Sequence, residues 1–362
     1  MKKTKVSGLS RLVAFLLIAT VLICIFGFSA EGWQSMSGTD INSGEPVIPS
    51  GESDVNKDTE EETIIPEIKY YDYLTGLEVS EEDSRLKKTA FVINSSAPSY
   101  GLSKGEVVIE FPTESGETRL LMYTKAMNTL GKIGSVAPTR GFISDMIASF
   151  DGVLISFGED DTVEYSSNDI SGKIFDLSEN PGYSYTEYTH FVYSNHDLIK
   201  AGLSNLGFSL SQPSEGTLPF FFSPYVSENG NLSALSLSLS FSDAKTTELY
   251  YDSNDGRYYL FEGGIKKSDA LYNQSISYKN VFVLFSDSVT YETESGSELI
   301  MNMKNGGKGY YAVNGHAEEI TWENIGGSMR FKNKNGEILN VAAGESYIGF
   351  LKSSDKSALS IT

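Results

Sequence analysis

The chain has 362 residues, a formal net charge of -20 and a single cysteine. Its apolar and aromatic content suffices for packed cores, which excludes global disorder, and its length admits two domains of ordinary size. The lone thiol, Cys24, lies inside an N-terminal apolar run, so the rest of the chain has no disulfide framework, no cysteine zinc site and no cysteine nucleophile.

Lys2, Lys3, Lys5 and Arg11 precede Leu12–Phe28, a run of seventeen residues without a charge. That is the layout of a signal or anchor segment over residues 1–30, and its cations direct the remainder to the outer side of a membrane. Three fates stay open. The segment is cut near Gly27-Phe28-Ser29-Ala30, or it stays as a single anchor of marginal length, or Cys24 is lipidated, against which stands the bulky, branched Ile23 before it. Each gives an extracytoplasmic protein, membrane-anchored or secreted. Residues 1–30 hold no acid, so the 24 cations that follow them face all 48 acids and leave -24 on the body. Such a body is soluble and repels nucleic acid, which is not expected as a partner. Residues 31–70 carry ten acids and two lysines among many Ser, Gly, Thr and Pro residues. With little to bury, this segment reads as a disordered acidic stalk.

Residues 71–225 read as a mixed α/β domain. Thr89–Asn94, Glu106–Phe111, Thr118–Thr124 and Gly152–Phe157 are apolar runs of strand length. Phe142, Met146 and Phe150 fall at helical spacing, which predicts a helix over Gly141–Phe150. Leu198, Ile199, Leu203 and Leu206 predict a second over His196–Leu206, stopped by Gly207. Glu159–Tyr188, rich in Asp, Ser, Gly, Asn and Tyr, reads as a long loop with short structured pieces.

Residues 230–355 read as a β-rich antiparallel domain. Leu235, Leu237, Leu239 and Phe241 alternate with serines, which buries one face and wets the other. Tyr250–Tyr259 is a hairpin turning on Asn254-Asp255-Gly256, and Asn314-Gly315 and Asn335-Gly336 mark two more. Val281–Phe285, Leu299–Met303, Ile320–Trp322, Ile338–Val341 and Tyr347–Leu351 supply further strands, and no helix is predicted after residue 245. The fold class expected is therefore α+β, a mixed α/β domain followed by a β-rich antiparallel one.

Between Val107 and Leu120 a short strand runs into Glu110 and Glu114, a Ser115-Gly116 turn, and Arg119 opening a second strand. This segment resembles the YerB-like lipoproteins, bacterial surface proteins built from the N- and C-terminal domains of unknown function 3048. The resemblance extends over Leu74–Leu351. It is carried by Leu74-Thr75-Gly76-Leu77, Pro98, Gly101-Leu102, Glu110–Arg119, Ile133-Gly134-Ser135-Val136, Arg140, His190 and Tyr193, then by Gly309, Asn314-Gly315, Ile320-Thr321-Trp322, Asn335-Gly336 and Gly344. The chain also departs from the family. Ala97 and Ala137 stand where arginines are usual, Ser156 where a histidine is, and Phe191 where an asparagine follows the second histidine.

The polar set that the resemblance places at a cleft is thereby reduced to Glu110, Glu114, Arg119, Arg140, His190 and Tyr193. These residue types suit hydrolysis of a glycan or a phosphorylated wall component. A desolvated Glu110 and an ionised Glu114 would divide the acid and base roles, the arginines would clamp an anion, and His190 would move a proton near neutral pH. The competing reading pairs Glu110 with an arginine to satisfy a strand end. No nucleophile motif such as Gly-x-Ser-x-Gly is present. No metal or cofactor is expected. His190 and His196 lack a third partner, Gly158–Asp161 and Asp252–Asp255 lack the twelve-residue calcium-loop pattern, and Gly306-Gly307-Lys308-Gly309 is not a phosphate loop. Tyr70, Tyr71, Tyr73, Tyr183, Tyr185, Tyr188, Tyr250, Tyr251, Tyr258, Tyr259, Tyr310 and Tyr311 fall in or beside turns, where they suit a binding surface or simply strands. The leading expectation is a membrane-tethered envelope protein that binds a wall-related ligand or a protein partner without catalysis. The alternative is an envelope hydrolase.

Overall fold

The computed structural model describes residues 68–125, 129–159, 171–188, 190–210, 219–226, 230–293, 296–325 and 327–362. The signal segment, most of the stalk, and Asp160 and Asp161 lie outside them. Among the described residues no helix is long and apolar enough to cross a membrane.

Two-residue strands β1 (Tyr70–Tyr71) and β2 (Glu78–Val79) pair with each other and lead to the one-turn helix α1 (Glu81–Ser84). Ser80 caps α1 by accepting from the Asp83 amide. Then come β3 (Lys88–Asn94), β4 (Val107–Pro112) and β5 (Thr118–Thr124), with β5 antiparallel to both neighbours. The β4–β5 turn uses Gly116 at φ +83°, a left-handed conformation that suits glycine. β6 (Ile133–Val136), helix α2 (Gly141–Phe150), β7 (Gly152–Ser156), β8 (Ile174–Asp176), β9 (Tyr185–Glu187), β10 (Phe191–Ser194) and helix α3 (His196–Asn205) complete this region. Asn195 caps α3, and Gly207 at φ +75° ends it. β8, β9 and the helical turns Ser171–Lys173 and Pro181–Tyr183 are structured pieces within the expected long loop.

β11 (Phe221–Phe222) and β12 (Leu232–Ser233) lead into β13 (Ser236–Ser240), β14 (Thr246–Asp252), β15 (Arg257–Glu262), β16 (Ile265–Lys266) and β17 (Ser277–Tyr278). β18 (Asn280–Ser286) follows, then the hairpin β19 (Ser288–Thr293) and β20 (Gly296–Met301). The meander β21 (Gly307–Val313), β22 (His316–Ile325) and β23 (Ser328–Asn333) precedes β24 (Asn340–Val341), β25 (Ser346–Lys352) and β26 (Leu359–Ile361). Asn314 at φ +53° and Gly315 at φ +78° make the β21–β22 turn.

The strands gather into one sheet of fourteen, ordered β12-β22-β21-β18-β25-β4-β5-β3-β6-β10-β9 with β23 on β22, β7 on β3 and β8 on β7, and a second of six, ordered β16-β15-β14-β13-β26 with β17 on β15. The large sheet crosses from one region to the other where β25 runs parallel to β4 and to β18. The antiparallel expectation for the second region thus holds in the smaller sheet but not along this seam. One face of the large sheet is covered by α2, whose Phe142, Met146 and Phe150 bury against Ile109, Phe111, Tyr123 and Phe350. Phe111 stacks on Phe350 at 5.1 Å and meets Phe142 at 4.9 Å. Each such pair adds about 0.5–1.5 kcal/mol beyond area burial. The other face is covered by the six-stranded sheet, whose Leu237, Leu239, Leu249 and Tyr258 pack on Val108, Val281, Val283 and Tyr347. The molecule is strand-dominated, with few helices.

Two local expectations differ from the structure. Leu235 is 58% exposed, because it precedes β13 and lies over the Gly315 turn instead of in the sheet interface. Asn335-Gly336 does turn the chain, yet only the Lys332–Ile338 bridge forms beyond it, and Val341 pairs with β11 in parallel. The Asp252–Asp255 carboxylates are engaged in their own hairpin: Asp252 accepts from the Asn254 amide at 2.9 Å and Asp255 from the Arg257 amide at 3.1 Å.

Candidate functional site

The six polar residues do not share one pocket in the described structure. Glu110 opposes Leu120 in the β4–β5 register, on the face toward the small sheet. It is 2% exposed. Its Oε1 accepts from Thr118 at 2.6 Å, and its Oε2 accepts from Thr247 at 2.9 Å and Tyr347 at 2.6 Å. Lys245 stands 4.0 Å away and turns to Glu262. The cavity beside this cluster measures about 20 Å³, room for one water and no substrate. Three hydroxyl donors fix the carboxylate as the polar tie between the two sheets.

Glu114 and Arg140 do meet, on the opposite face. Arg140 Nη1 and Nη2 grip the Glu114 carboxylate at 2.7 and 2.9 Å, and Nη1 also donates to Glu298 of β20 at 2.8 Å. Burial pushes the Glu114 carboxyl up, and the Arg140 hydrogen bond and charge outweigh it, so it sits below its ordinary range. Arg140 immediately precedes α2, and a cleft of about 410 Å³ opens between the first turn of α2 and the β19–β20 hairpin that this ion pair ties down. Arg119 opposes Phe111 and Asn94 across its two neighbours and donates to Asn94 Oδ1 at 3.3 Å. It therefore points away from Glu110.

Tyr193 and His190 belong to the far end of the large sheet. Tyr193 is buried, and Lys132 Nζ lies 3.9 Å from the ring centroids of both Tyr193 and Tyr100. Burial pushes the Tyr193 phenol up, against the pull of Lys132. His190 is exposed in the turn before β10, its ring 4.3 Å from that of Phe191. The turn-associated tyrosines also disperse. Tyr258 and Tyr311 are core residues, while Tyr71, Tyr188 and Tyr250 are exposed.

Sequence reasoning missed a buried ionic cluster beneath β1. Lys88, fully buried, binds Asp72 and lies 3.0 Å from Glu106, while Lys125 reaches Asp72 at 3.5 Å. Burial raises the Glu106 carboxyl to about 7 against the pull of Lys88. Burial also raises Asp72, but Lys88 and the Leu74 amide overcome it and hold that carboxyl below its ordinary range. The only signal in sequence was a lysine opening an apolar strand. Among the described residues no group of three or more His, Cys, Asp or Glu side chains is placed to hold a metal ion.

A larger concavity than that beside α2 lies elsewhere. The six-stranded sheet ends at β26, which lines the same concavity as β21 and β22 of the large sheet. The uncovered sheet face and the flank of β26 bound a groove of about 900 Å³. Phe285, Tyr310, Leu359 and Ile361 form its apolar surfaces, and Lys308, Lys334 and Lys356 stand on its rim, all exposed. Among the described residues none of these three lysines makes a close salt bridge, and Lys334 acts on Glu318 by charge alone. Two acidic side chains also line the groove. Asp287 accepts from Ser353, and Glu319 from Tyr310, whose phenol is raised by burial and then by that charge. Gly307 and Gly309 let β21 approach β18 closely, since a Cβ would stand 2.2 Å from the Phe285 carbonyl and 2.5 Å from that of Val283. Gly306-Gly307-Lys308-Gly309 therefore builds the groove floor and presents only Lys308 from it.

Two family descriptions match the chain. The N-terminal domain of DUF3048, a protein of unknown function, matches residues 74–209, and the DUF3048 C-terminal domain matches residues 237–348. Among solved structures, the YerB protein from Bacillus subtilis is similar over 81% of this chain and 100% of that one, with 21% identity and a TM-score of 0.71. At that identity the likeness speaks to the fold alone. No curated relative matches.

Proposed function

The chain belongs to the YerB-like family that carries the two DUF3048 domains, and from that premise we propose that it is a non-catalytic binding protein displayed on the outer side of a membrane. The observation that carries this reading is the open groove beside β26. It combines apolar walls with three exposed lysines that form no close salt bridge among the described residues, in a chain of formal charge -20. The charged N-terminus followed by seventeen uncharged residues supports export. The hydrolase alternative finds less support. Glu110 is saturated by hydroxyl donors, Arg140 is engaged by two carboxylates, and His190 lies at the other end of the sheet.

The absence of any cysteine after Cys24 makes the reading testable in living cells. Single Ser253→Cys and Thr321→Cys variants place a thiol on an exposed turn and in the groove respectively. A membrane-impermeant maleimide should label Ser253→Cys on intact cells. It should label Thr321→Cys several-fold more slowly on cells than on the purified protein, because a ligand covers the groove. Labelling of Ser253→Cys only after lysis would refute display outside. Equal labelling of Thr321→Cys in both preparations would refute an occupied groove.

A further inference from the structure

The bonding pattern of β26 goes beyond a generic groove, and rests on the reading above that the groove binds. Ser236 and Thr362 exchange both backbone hydrogen bonds, at 2.9 and 3.0 Å, so they form a hydrogen-bonded pair of an antiparallel ladder. Such pairs alternate with pairs whose N–H and C=O groups point outward. Ser238 and Ser360 are therefore the next bonded pair, while Leu359 and Ile361, opposite Leu239 and Leu237, turn their amides and carbonyls away from β13. β26 ends the order of its sheet. Its outward edge thus offers two N–H donors and two C=O acceptors at the spacing of an added strand, and the side that offers them is the side on which the groove opens. Natural proteins usually cover or charge such an edge.

We propose that the groove is a strand-addition site for an extended, acidic segment of a partner protein. The segment's backbone pairs with Leu359 and Ile361. Its alternate side chains rest on Phe285 and Tyr310, and its carboxylates meet Lys308, Lys334 and Lys356. Main-chain pairing supplies the affinity and the alternating side chains the selection. The charge argument survives the two acidic side chains in the groove, because Asp287 and Glu319 already accept hydrogen bonds, whereas among the described residues Lys308 and Lys356 meet no acid and Lys334 acts only on the half-buried Glu318, by charge and without a hydrogen bond. An extended segment fits this space better than a compact anion, since the lysines are spread over β21, the end of β23 and the turn before β26.

The probe is a fluorescent eight-residue peptide of alternating glutamate and valine, titrated onto the purified protein and followed by anisotropy. Binding is expected. It should weaken at least tenfold when the peptide amides facing β26 are N-methylated, and as much for Lys308→Glu/Lys334→Glu/Lys356→Glu. Ile361→Pro removes one outward donor but no hydrogen bond to β13, and should weaken binding while the thermal midpoint stays close to wild type. The N-methylated peptide keeps the test decisive if the proline variant misfolds. Equal affinity for methylated and unmethylated peptides would overturn strand addition yet leave a charge-reading groove. Failure of the probe to bind at millimolar concentration would overturn the peptide assignment, while Thr321→Cys protection on cells would still uphold an occupied groove. Dimerisation of the free protein that Ile361→Pro abolishes would assign the edge to a second copy and overturn the partner.

Discussion

Glu106 carries the clearest consequence of burial on a single side chain. Its carboxyl is raised from 4.5 to about 7 by desolvation, with Lys88, Asp72, Lys125 and Tyr73 as its charged or titratable neighbours. Between pH 4.5 and about 7 the unfolded chain has released this proton while the folded chain keeps it. The fold binds more protons than the unfolded state there, so Glu106 makes stability fall as pH rises across that window and stay level above it. Asp72 acts in the opposite sense but below 3.8, where its lowered carboxyl titrates. Urea denaturation at pH 5 and pH 8 should therefore show wild type losing about 1–3 kcal/mol more than Glu106→Gln over that interval. Parallel pH dependence of the two proteins would exclude a raised carboxyl at this position. Arg140 supports a second expectation. Arg140→Ala leaves Glu114 and Glu298 facing each other with 25% and 13% of their side chains exposed. The cost should be about 2–4 kcal/mol at neutral pH, and Glu114→Gln/Glu298→Gln in the same background should recover much of it. No recovery would mean that the guanidinium acts by packing and not by charge.

At the scale of elements, the strands and helices with strong local patterns were legible. β5 spans Thr118–Thr124 and α2 spans Gly141–Phe150, as their apolar spacing implied. What could not be read was anything decided by a partner distant in sequence. Glu110 looks like an acid at a strand end, but its donors Thr247 and Tyr347 lie 137 and 237 residues away. The pairing expected for Glu110 with an arginine does not form, and Arg140 instead grips Glu114 and, 158 residues away, Glu298. The groove left no motif because it is the absence of a covering strand beyond β26. Gly202 shows the same limit in a helix. Within α3 a glycine costs about 1 kcal/mol relative to alanine, so the local sequence invites replacement. The structure opposes it, since a Cβ would stand 2.2 Å from Cζ of the fully buried Phe175. Overpacking costs about 1–3 kcal/mol, enough to outweigh the propensity gain. Gly202→Ala should lower the denaturation midpoint, and a raised midpoint would show that Phe175 yields freely.

The whole molecule is organised around the seam where β25 lies between β18 and β4, running parallel to both. Parallel neighbours require long connections, and here β4 and β25 are joined only through most of the chain. The two family regions therefore share a sheet, although each matches its own domain description. Parting them at residue 226 would expose Ile109, Phe111, Ile348 and Phe350, all fully buried, and strip Glu110 of two of its three hydroxyl donors. Burial of one such side chain contributes about 1.5–3 kcal/mol, so these four alone contribute about 6–12 kcal/mol. That is comparable to the entire stability of a typical protein, about 5–15 kcal/mol. Neither residues 68–226 nor residues 230–362 should then unfold cooperatively when produced alone. Co-expression of the two pieces should restore a single complex with one transition, because every strand of the seam is present again. Circular dichroism melts of each piece and of the pair decide the matter. A cooperative melt of residues 68–226 alone would show that the first region buries its β4 edge by other means, and that the seam joins two finished domains instead of completing one.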